Sequence, residues 1–126
     1  MIDTRPPHSG EDHPTVSFGK VGVILCNLGT PDGTDYWSVR RYLSEFLSDK
    51  RVVDVPTWKW QAILQLVILS FRPFTSGAAY KTIWNEGRNE SPLLTTTREQ
   101  CEALTPVLKD MFGDQVEVDF CMRYGN

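Results

Sequence analysis

The feature that most restricts the fold is a continuous apolar run near the N-terminus, VGVILCNL, at residues 21–28. A half-exposed strand would alternate apolar and polar side chains. A run of strand length without alternation therefore predicts a central parallel strand that is covered on both faces. The run ends in GTPDGTD, a cluster of turn-forming residues that should take the chain away from the carboxyl edge of the sheet.

The segments after this turn have helical spacing. Thr34 or Asp35 can cap a first helix, whose expected buried positions are Tyr36, Val39, Leu43, Phe46 and Leu47. Residues 52–56 predict a short extended segment, and residues 58–71 predict an amphipathic helix followed by a separate short helix at 76–84. Ser91 and Pro92 are typical of another helix start, and Gly113 is placed to end that helix. Pro106 predicts a kink in it, or a restart capped by Thr105.

The last apolar segment, residues 115–122, alternates apolar with polar side chains, which predicts a strand with one drier face. A strand, several helices and a second strand are the order of a parallel α/β unit with a long crossover. Residues 1–19 are rich in proline and poor in apolar side chains, so we expect a disordered tail there and the domain at residues 20–126. The chain ends at Asn126, directly after the second strand, where the functional loops of an open α/β sheet lie.

The composition excludes several classes of function. A net charge of −3 and a pI near 5.3, without a basic stripe, argue against a nucleic-acid partner. Three cysteines without a CxxC pair predict no disulfide framework and a reducing compartment. We also find neither a signal peptide nor an apolar run of membrane-spanning length, so we expect a cytoplasmic protein.

Four stretches, in this order, together resemble the ferrochelatase family. They are GVILCNLGTP at 22–31, RRYLSEFLSDKRVVDVP at 40–56, the segment 72–94 with its Arg-Pro, Tyr80 and Ser-Pro, and FCMRYGN at 120–126. NLGTP alone would be weak evidence, because it lacks the glycine pattern of either common phosphate loop. The resemblance covers residues 20–126 and corresponds to the N-terminal portion of the family's domain. Within the family, the sequence is similar to the proteobacterial type.

This resemblance implies a flavodoxin-like, chelatase-type α/β domain of three layers, truncated at its C-terminus. It implies insertion of ferrous iron into protoporphyrin IX to form haem b, the final step of haem biosynthesis. No covalently bound cofactor is implied, and the cysteines that bind an iron–sulfur cluster in some members lie mostly beyond this chain. The porphyrin-binding positions carried over by the resemblance are Leu28, Arg72, Tyr80, Ser91, Arg123 and Tyr124.

The residue types suit those positions, although each has a simpler reading. Arginine can hold a propionate with two hydrogen bonds, and serine and tyrosine hydroxyls can add more. Alternatively, Arg72 is a solvated residue at a helix end, Tyr80 is a core partner of Trp84, and Ser91 only caps a helix. The strand end at Arg123 and Tyr124 is where sites of α/β proteins usually lie.

The catalytic histidine and glutamate of the family match no residue here, and no metal ligand is carried over. The two histidines, His8 and His13, lie in the expected tail. We therefore expect this chain alone to be inactive without a C-terminal half. The alternative is a stand-alone α/β module that binds porphyrin or a partner without catalysis.

The amphipathic stretch 58–71 is expected to form an apolar lip that meets a membrane surface, which would place the protein peripherally at the inner membrane. The residues expected to make this contact are Trp58, Trp60, Ile63, Leu64 and Phe71. The same stripe could instead be buried against the sheet or cover a partner. A peripheral membrane protein unrelated to porphyrins is a third reading.

Overall fold

The computed structural model describes residues 19–125, so the predicted tail lies almost wholly outside the described residues. The elements are β1 (Val21–Thr30), α1 (Tyr36–Ser48), α2 (Thr57–Ile63), a π-helical segment (Leu64–Ile68), α3 (Leu69–Ile83), α4 (Pro92–Phe112), a 3₁₀ turn (Gly113–Gln115) and β2 (Val116–Gly125). The two strands pair in parallel, with a register that runs from Val21 opposite Val116 to Thr30 opposite Gly125. This confirms the predicted parallel α/β unit and its long helical crossover.

Helix α4 covers one face of the two-stranded sheet. The Asn27 side-chain amide donates a 3.1 Å hydrogen bond to the Thr97 hydroxyl, and the Arg98 guanidinium lies 5.3 Å from the Phe120 ring centroid. The opposite face is open within residues 19–125, where Ile24 is 62% exposed. The expectation that β1 is covered on both faces is therefore wrong for these residues, which contribute two of the three expected layers.

Local capping signals set the helix ends as predicted. The Asp35 carboxylate accepts hydrogen bonds from the backbone of Trp37 and Ser38, and Ser91 accepts one from Leu94. Gly113 ends α4 with a φ of 62°, a left-handed conformation that favours glycine. The buried residues of α1 are Val39 and Tyr42, and Tyr42 was not among the expected positions.

The expectations of a helix restart capped by Thr105 and of an extended segment at residues 52–56 are wrong, while a kink at Pro106 stays a prediction. Helix α4 continues through Pro106, and the Thr105 hydroxyl donates to the Cys101 carbonyl instead of capping a restart. Residues 52–56 form no strand, because the backbone N–H groups of Val52 and Val53 both bond to the carbonyl of Asp49 in a turn.

The two helices expected at 58–71 and 76–84 are one continuous helical run, Thr57–Ile83. Pro73 lies inside it and cannot donate to the carbonyl of Leu69, four residues earlier. That carbonyl instead accepts hydrogen bonds from the Tyr36 hydroxyl at 2.9 Å and from Arg40 at 2.7 Å. Helix α1 thus supplies the donors that proline removes, and the run continues.

Among residues 19–125, Thr57–Ile83 is the one helix long and apolar enough to cross a membrane, judged by length and composition only. A core helix of a soluble protein passes the same test, so the expectation that nothing spans a membrane stays a prediction. One residue of the expected lip, Leu64, is fully buried, so its membrane assignment is wrong. Trp60 is half-buried and its indole donates to the Leu47 carbonyl at 2.7 Å, and its membrane contact stays a prediction.

Candidate functional site

The candidate site lies at the carboxyl edge of the sheet, where β1 and β2 end side by side. Gly29 is paired with Tyr124, and Thr30 with Gly125. Gly29 has a φ of 116°, and a side chain there would place Cβ 1.9 Å from the Tyr124 carbonyl oxygen. Gly125 has a φ of 70°, and its Cβ would lie 2.0 Å from the Thr30 carbonyl oxygen. Only glycine at both positions lets the two strand ends approach this closely.

Leu28 and Arg123 lie on the open face at this edge. The flanking pairs, Asn27 with Met122 and Gly29 with Tyr124, place them opposite each other on neighbouring strands. Leu28 is half exposed, and the Arg123 side chain is exposed to a similar extent. An apolar side chain beside a cation is suited to a flat apolar ligand that carries a carboxylate.

Asp49, at the end of α1, connects Arg123 and Tyr124 near the end of β2. Its Oδ2 accepts hydrogen bonds from the Tyr124 hydroxyl at 2.7 Å and from Arg123 at 3.0 Å, and its Oδ1 accepts one from the Arg51 backbone. The Tyr124 hydrogen bond, followed by the Arg51 backbone and Arg123, lowers the pKa of Asp49 to about 2. Asp49 is therefore a carboxylate at neutral pH and holds Arg123 and Tyr124 in place.

Sequence reasoning did not identify Asp49 as a site residue. Its position in the DKR turn, inside one of the four family stretches, was the available signal. The residues it bonds lie 74 and 75 positions away in sequence, so no local spacing could associate them with it.

Behind the edge, five aromatic side chains form a chain of ring contacts. In order they are Tyr124, Phe46, Tyr42, Tyr80 and Trp84, with centroid separations of 5.2, 6.0, 6.5 and 6.4 Å. Burial, with smaller contributions from Tyr80 and Tyr124, raises the pKa of Tyr42 to about 12. The protonated Tyr42 hydroxyl donates to the Gly29 carbonyl at 3.3 Å. Tyr80 thus reaches the strand edge through Tyr42.

The remaining predicted site residues, Ser91 and Arg72, have no hydrogen bond, ion pair or ring contact with this group within residues 19–125. Ser91 is 1% exposed, and its hydroxyl oxygen caps α4. Beside it, the Glu90 carboxylate accepts hydrogen bonds from Arg98 and Thr95, and the Arg98 bond chiefly lowers its pKa. Arg72 lies exposed on α3, with no ion pair to its guanidinium among the described residues.

An open cleft of about 810 Å³ runs along α1 to the strand edge. It is lined by Trp37, Arg40, Arg41, Ser44, Glu45, Ser48, Asp49 and Tyr124. Glu45 accepts a 3.1 Å hydrogen bond from the Gly125 backbone, and Arg41 is paired with Asp32. The cleft therefore begins at the site, and the charged groups at its wall are largely paired within the chain.

Two further observations describe the chemistry of this edge. Within residues 19–125, no group of three or more His, Cys, Asp and Glu side chains has an arrangement that could hold a metal ion. The Thr30 hydroxyl oxygen is buried at the strand end without a hydrogen-bond partner among the described residues.

The parallel sheet and its helices define an α/β protein, and the sheet edge with an apolar and a cationic side chain is its candidate ligand site. The family model for ferrochelatase matches residues 20–126, and the chain therefore belongs to the ferrochelatase family. This confirms the resemblance seen in the four sequence stretches.

Similar curated proteins carry the same name. The chain is 63% identical to a ferrochelatase of Rhodobacter capsulatus over 121 residues, which are 95% of the chain and 34% of that protein. It is 58% identical to a ferrochelatase of Rhizobium johnstonii over 124 residues (98% of the chain, 34% of that protein). It is 57% identical to one of Agrobacterium fabrum over 114 residues (90% of the chain, 33% of that protein). The chain thus spans about a third of the length of these relatives, and no solved structure matches it.

Proposed function

We propose that the protein to which this chain belongs inserts ferrous iron into protoporphyrin IX, forming haem b with the loss of two pyrrole protons, as a lyase of haem biosynthesis. The observation that carries this proposal is the family match over residues 20–126, together with ferrochelatases that are up to 63% identical. The NLG and NESP sequences support protoporphyrin as the porphyrin, because they resemble the proteobacterial type.

Within this chain, Leu28 and Arg123 form the centre of the proposed porphyrin contact. Leu28 would lie against the apolar macrocycle, while Arg123 would bind a propionate. Tyr124 would act from behind, through the Asp49 carboxylate that it shares with Arg123. Tyr80 would support the edge through Tyr42.

Arg72 and Ser91 have less structural support as porphyrin contacts. The Arg72 guanidinium has no ion pair among the described residues, so it would be available to bind a propionate. It is, however, not bonded to the residues of the strand edge. The burial of Ser91 favours its capping role, and a ligand contact there would need its hydroxyl hydrogen to point outward.

A porphyrin titration tests this contact directly. We expect the chain to quench protoporphyrin fluorescence on binding, and Arg123→Ala to weaken the affinity about tenfold or more, since a hydrogen bond to a charged group is worth about 1.5–3 kcal/mol. Lys109→Ala is the matched control, because Lys109 is a surface cation near the opposite end of the sheet. Equal affinities for the two variants would contradict the proposed role of Arg123.

We further propose that this chain alone does not catalyse metal insertion. Proton removal from the pyrrole nitrogens needs a base near the ring centre, and none of the proposed contact residues is a base at neutral pH. An insertion assay with ferrous iron or zinc and the purified chain should give no metalloporphyrin above the rate without protein. Turnover by the chain would overturn this proposal and leave the porphyrin contact to be judged by the titration.

The ferrochelatase proposal is favoured over a stand-alone binding module by the open face of the sheet. A self-contained parallel α/β domain covers both faces of its sheet with helices. Here Ile24 and Leu28 remain exposed on one face, and the relatives have about three times as many residues.

We also propose a cytoplasmic protein that touches a membrane peripherally through Thr57–Ile83. Of the residues expected from sequence, Trp58, Ile63 and Phe71 support this contact by their exposure. Leu66, Val67 and Phe74 extend the same stripe, with Leu66 76% exposed. Apolar side chains at this helical spacing are suited to the interface of a bilayer.

Co-sedimentation with vesicles of anionic and zwitterionic phospholipid tests the stripe. The double variant Leu66→Ser, Phe71→Ser should reduce the bound fraction strongly, because it removes two large exposed apolar side chains. Met111→Ser is the control, since Met111 is similarly exposed but lies on α4. A bound fraction that is unchanged in the double variant, or lowered equally in the control, would refute the stripe as the contact.

A further inference from the structure

Two cysteines from distant parts of the sequence face each other on the open side of the sheet. The register places Cys26 of β1 directly opposite Cys121 of β2. Their sulfur atoms lie 3.2 Å apart, both side chains are exposed, and both thiols are free. The third cysteine, Cys101, is buried in α4.

The geometry of this pair is close to that of a disulfide. Neighbouring strands lie about 4.8 Å apart, which falls within the range of Cα separations that disulfides span. A bond of about 2.05 Å would require the two sulfur atoms to approach by about 1.2 Å, a distance that small χ1 rotations can supply. The backbone pairing on either side of the two cysteines, at Leu25 with Phe120 and Asn27 with Met122, need not change.

We propose that Cys26 and Cys121 are a redox modification site of this chain, which forms a reversible cross-strand disulfide when the chain meets hydrogen peroxide. One thiol sulfur attacks the peroxide O–O bond and becomes a sulfenic acid, releasing one water. The second thiol attacks that sulfur, forms the S–S bond and releases a second water. The two thiols lose two electrons and two protons, the peroxide accepts them, and a dithiol reductant reverses the step.

Contact between the two sulfur atoms, and not their acidity, favours the second step. The hydrogen bond with Cys26, followed by burial, raises the pKa of Cys121, which lowers the thiolate fraction that attacks. Because the two sulfur atoms are already in contact, the resolving step does not require the chain to search for a partner. A sulfenic acid formed on either sulfur would be trapped before further oxidation.

The pair lies beside the proposed porphyrin contact. Leu28 and Arg123 are two residues further along the same strands, on the same face of the sheet. A strand rises about 3.3 Å per residue, so the disulfide would lie about 7 Å from these side chains. Oxidation would thus covalently join the two strands whose ends carry the site.

The proposal is tested by identifying which two cysteines form the disulfide. The folded structure favours one pair, and random contacts in an unfolded chain favour another. Cys101 and Cys121 are only 20 residues apart, whereas Cys26 and Cys121 are 95 residues apart. In an unfolded chain, loop closure would therefore bring the first pair into contact about ten times more often than the second. The chain would be oxidised with a small excess of hydrogen peroxide, once in buffer and once in concentrated urea. Non-reducing peptide mass mapping would then identify the cross-link.

We expect the folded chain to lose two thiols, to gain a 26–121 cross-link that dithiothreitol removes, and to keep Cys101 reduced. In urea the main product should change to the 101–121 cross-link. Cys101→Ala should leave the native cross-link unchanged, while Cys26→Ser and Cys121→Ser should each abolish it. If the folded chain gives only intermolecular dimers, over-oxidised cysteines or the 101–121 cross-link, the proposal is wrong; the wild-type result decides this even where a variant folds poorly.

Discussion

Replacing Gly29 by alanine should destabilise the chain more than any other single methyl addition in β1. Its φ of 116° is a conformation that alanine adopts only with strain, at a cost of about 1–3 kcal/mol. The added Cβ would lie 1.9 Å from the Tyr124 carbonyl oxygen, so the two strand ends must separate. That separation also removes the Tyr42 hydrogen bond to Gly29, which is worth about 0.5–1.5 kcal/mol.

Together these terms predict a loss of about 1.5–4.5 kcal/mol in the free energy of unfolding, to which the separation of the strand ends adds. The measurement is urea unfolding at neutral pH, followed by far-ultraviolet circular dichroism and by tryptophan fluorescence. A loss of this size would be a large fraction of the stability of a small domain. We therefore expect the variant to be partly unfolded without denaturant.

Gly22→Ala is the matched control, in the same strand and with the same added methyl group. No atom lies within 4 Å of the Cβ that it would gain. Its effect should be between zero and a stabilisation of about 1 kcal/mol, since alanine restricts the unfolded chain. A Gly29→Ala variant within about 1 kcal/mol of wild type, or an equal loss in both variants, would refute the close approach of the strand ends.

Three further predictions concern the helical run, the Asp49 carboxylate and the strand end. Tyr36→Phe should cost about 1 kcal/mol in urea unfolding, and clearly less in a Pro73→Ala background, because the alanine N–H can then satisfy the Leu69 carbonyl; equal costs would contradict the compensation. Asp49→Asn should lower the urea midpoint above pH 4, with the difference from wild type shrinking as the pH falls from about 4 to about 2. The reason is that a carboxyl with a depressed folded-state pKa stabilises the fold above its unfolded pKa and loses that contribution on protonation; a difference that persists unchanged at pH 2 would contradict it. Thr30→Val should raise the free energy of unfolding by about 1 kcal/mol, since it replaces a buried hydroxyl without a partner by a methyl group of similar size; a loss of stability would show that the hydroxyl is satisfied.

Much of the fold could be predicted from the sequence, because strands and helix ends depend on residues that are close together in the chain. The apolar run at 21–28 and the alternating segment at 115–122 predicted two strands, and both exist with slightly longer bounds. Asp35, Ser91 and Gly113 marked helix ends, because capping depends on a side chain and on the backbone within a few residues of it. The four family stretches likewise identified the ferrochelatase family by their residue types and their order along the chain.

The residues of the candidate site could be predicted from the sequence only in part. Arg123 and Tyr124 could be expected at a strand's carboxyl end, and Leu28 at the end of the first strand. The Asp49 carboxylate that bonds to Arg123 and Tyr124 could not be predicted. It contacts them only because the crossover brings β2 alongside β1.

The errors share one physical cause. Two separate helices were expected on either side of Pro73, because the sequence does not show the Tyr36 and Arg40 groups that replace its missing donor from another helix. Leu64 looked like part of an outward stripe, but it is fully buried at the start of a π-helical segment that the spacing does not show. The sequence by itself determined the elements, their caps and the family. The tertiary structure alone decided which groups meet across the sheet, since register and packing bring together residues that are up to 97 positions apart.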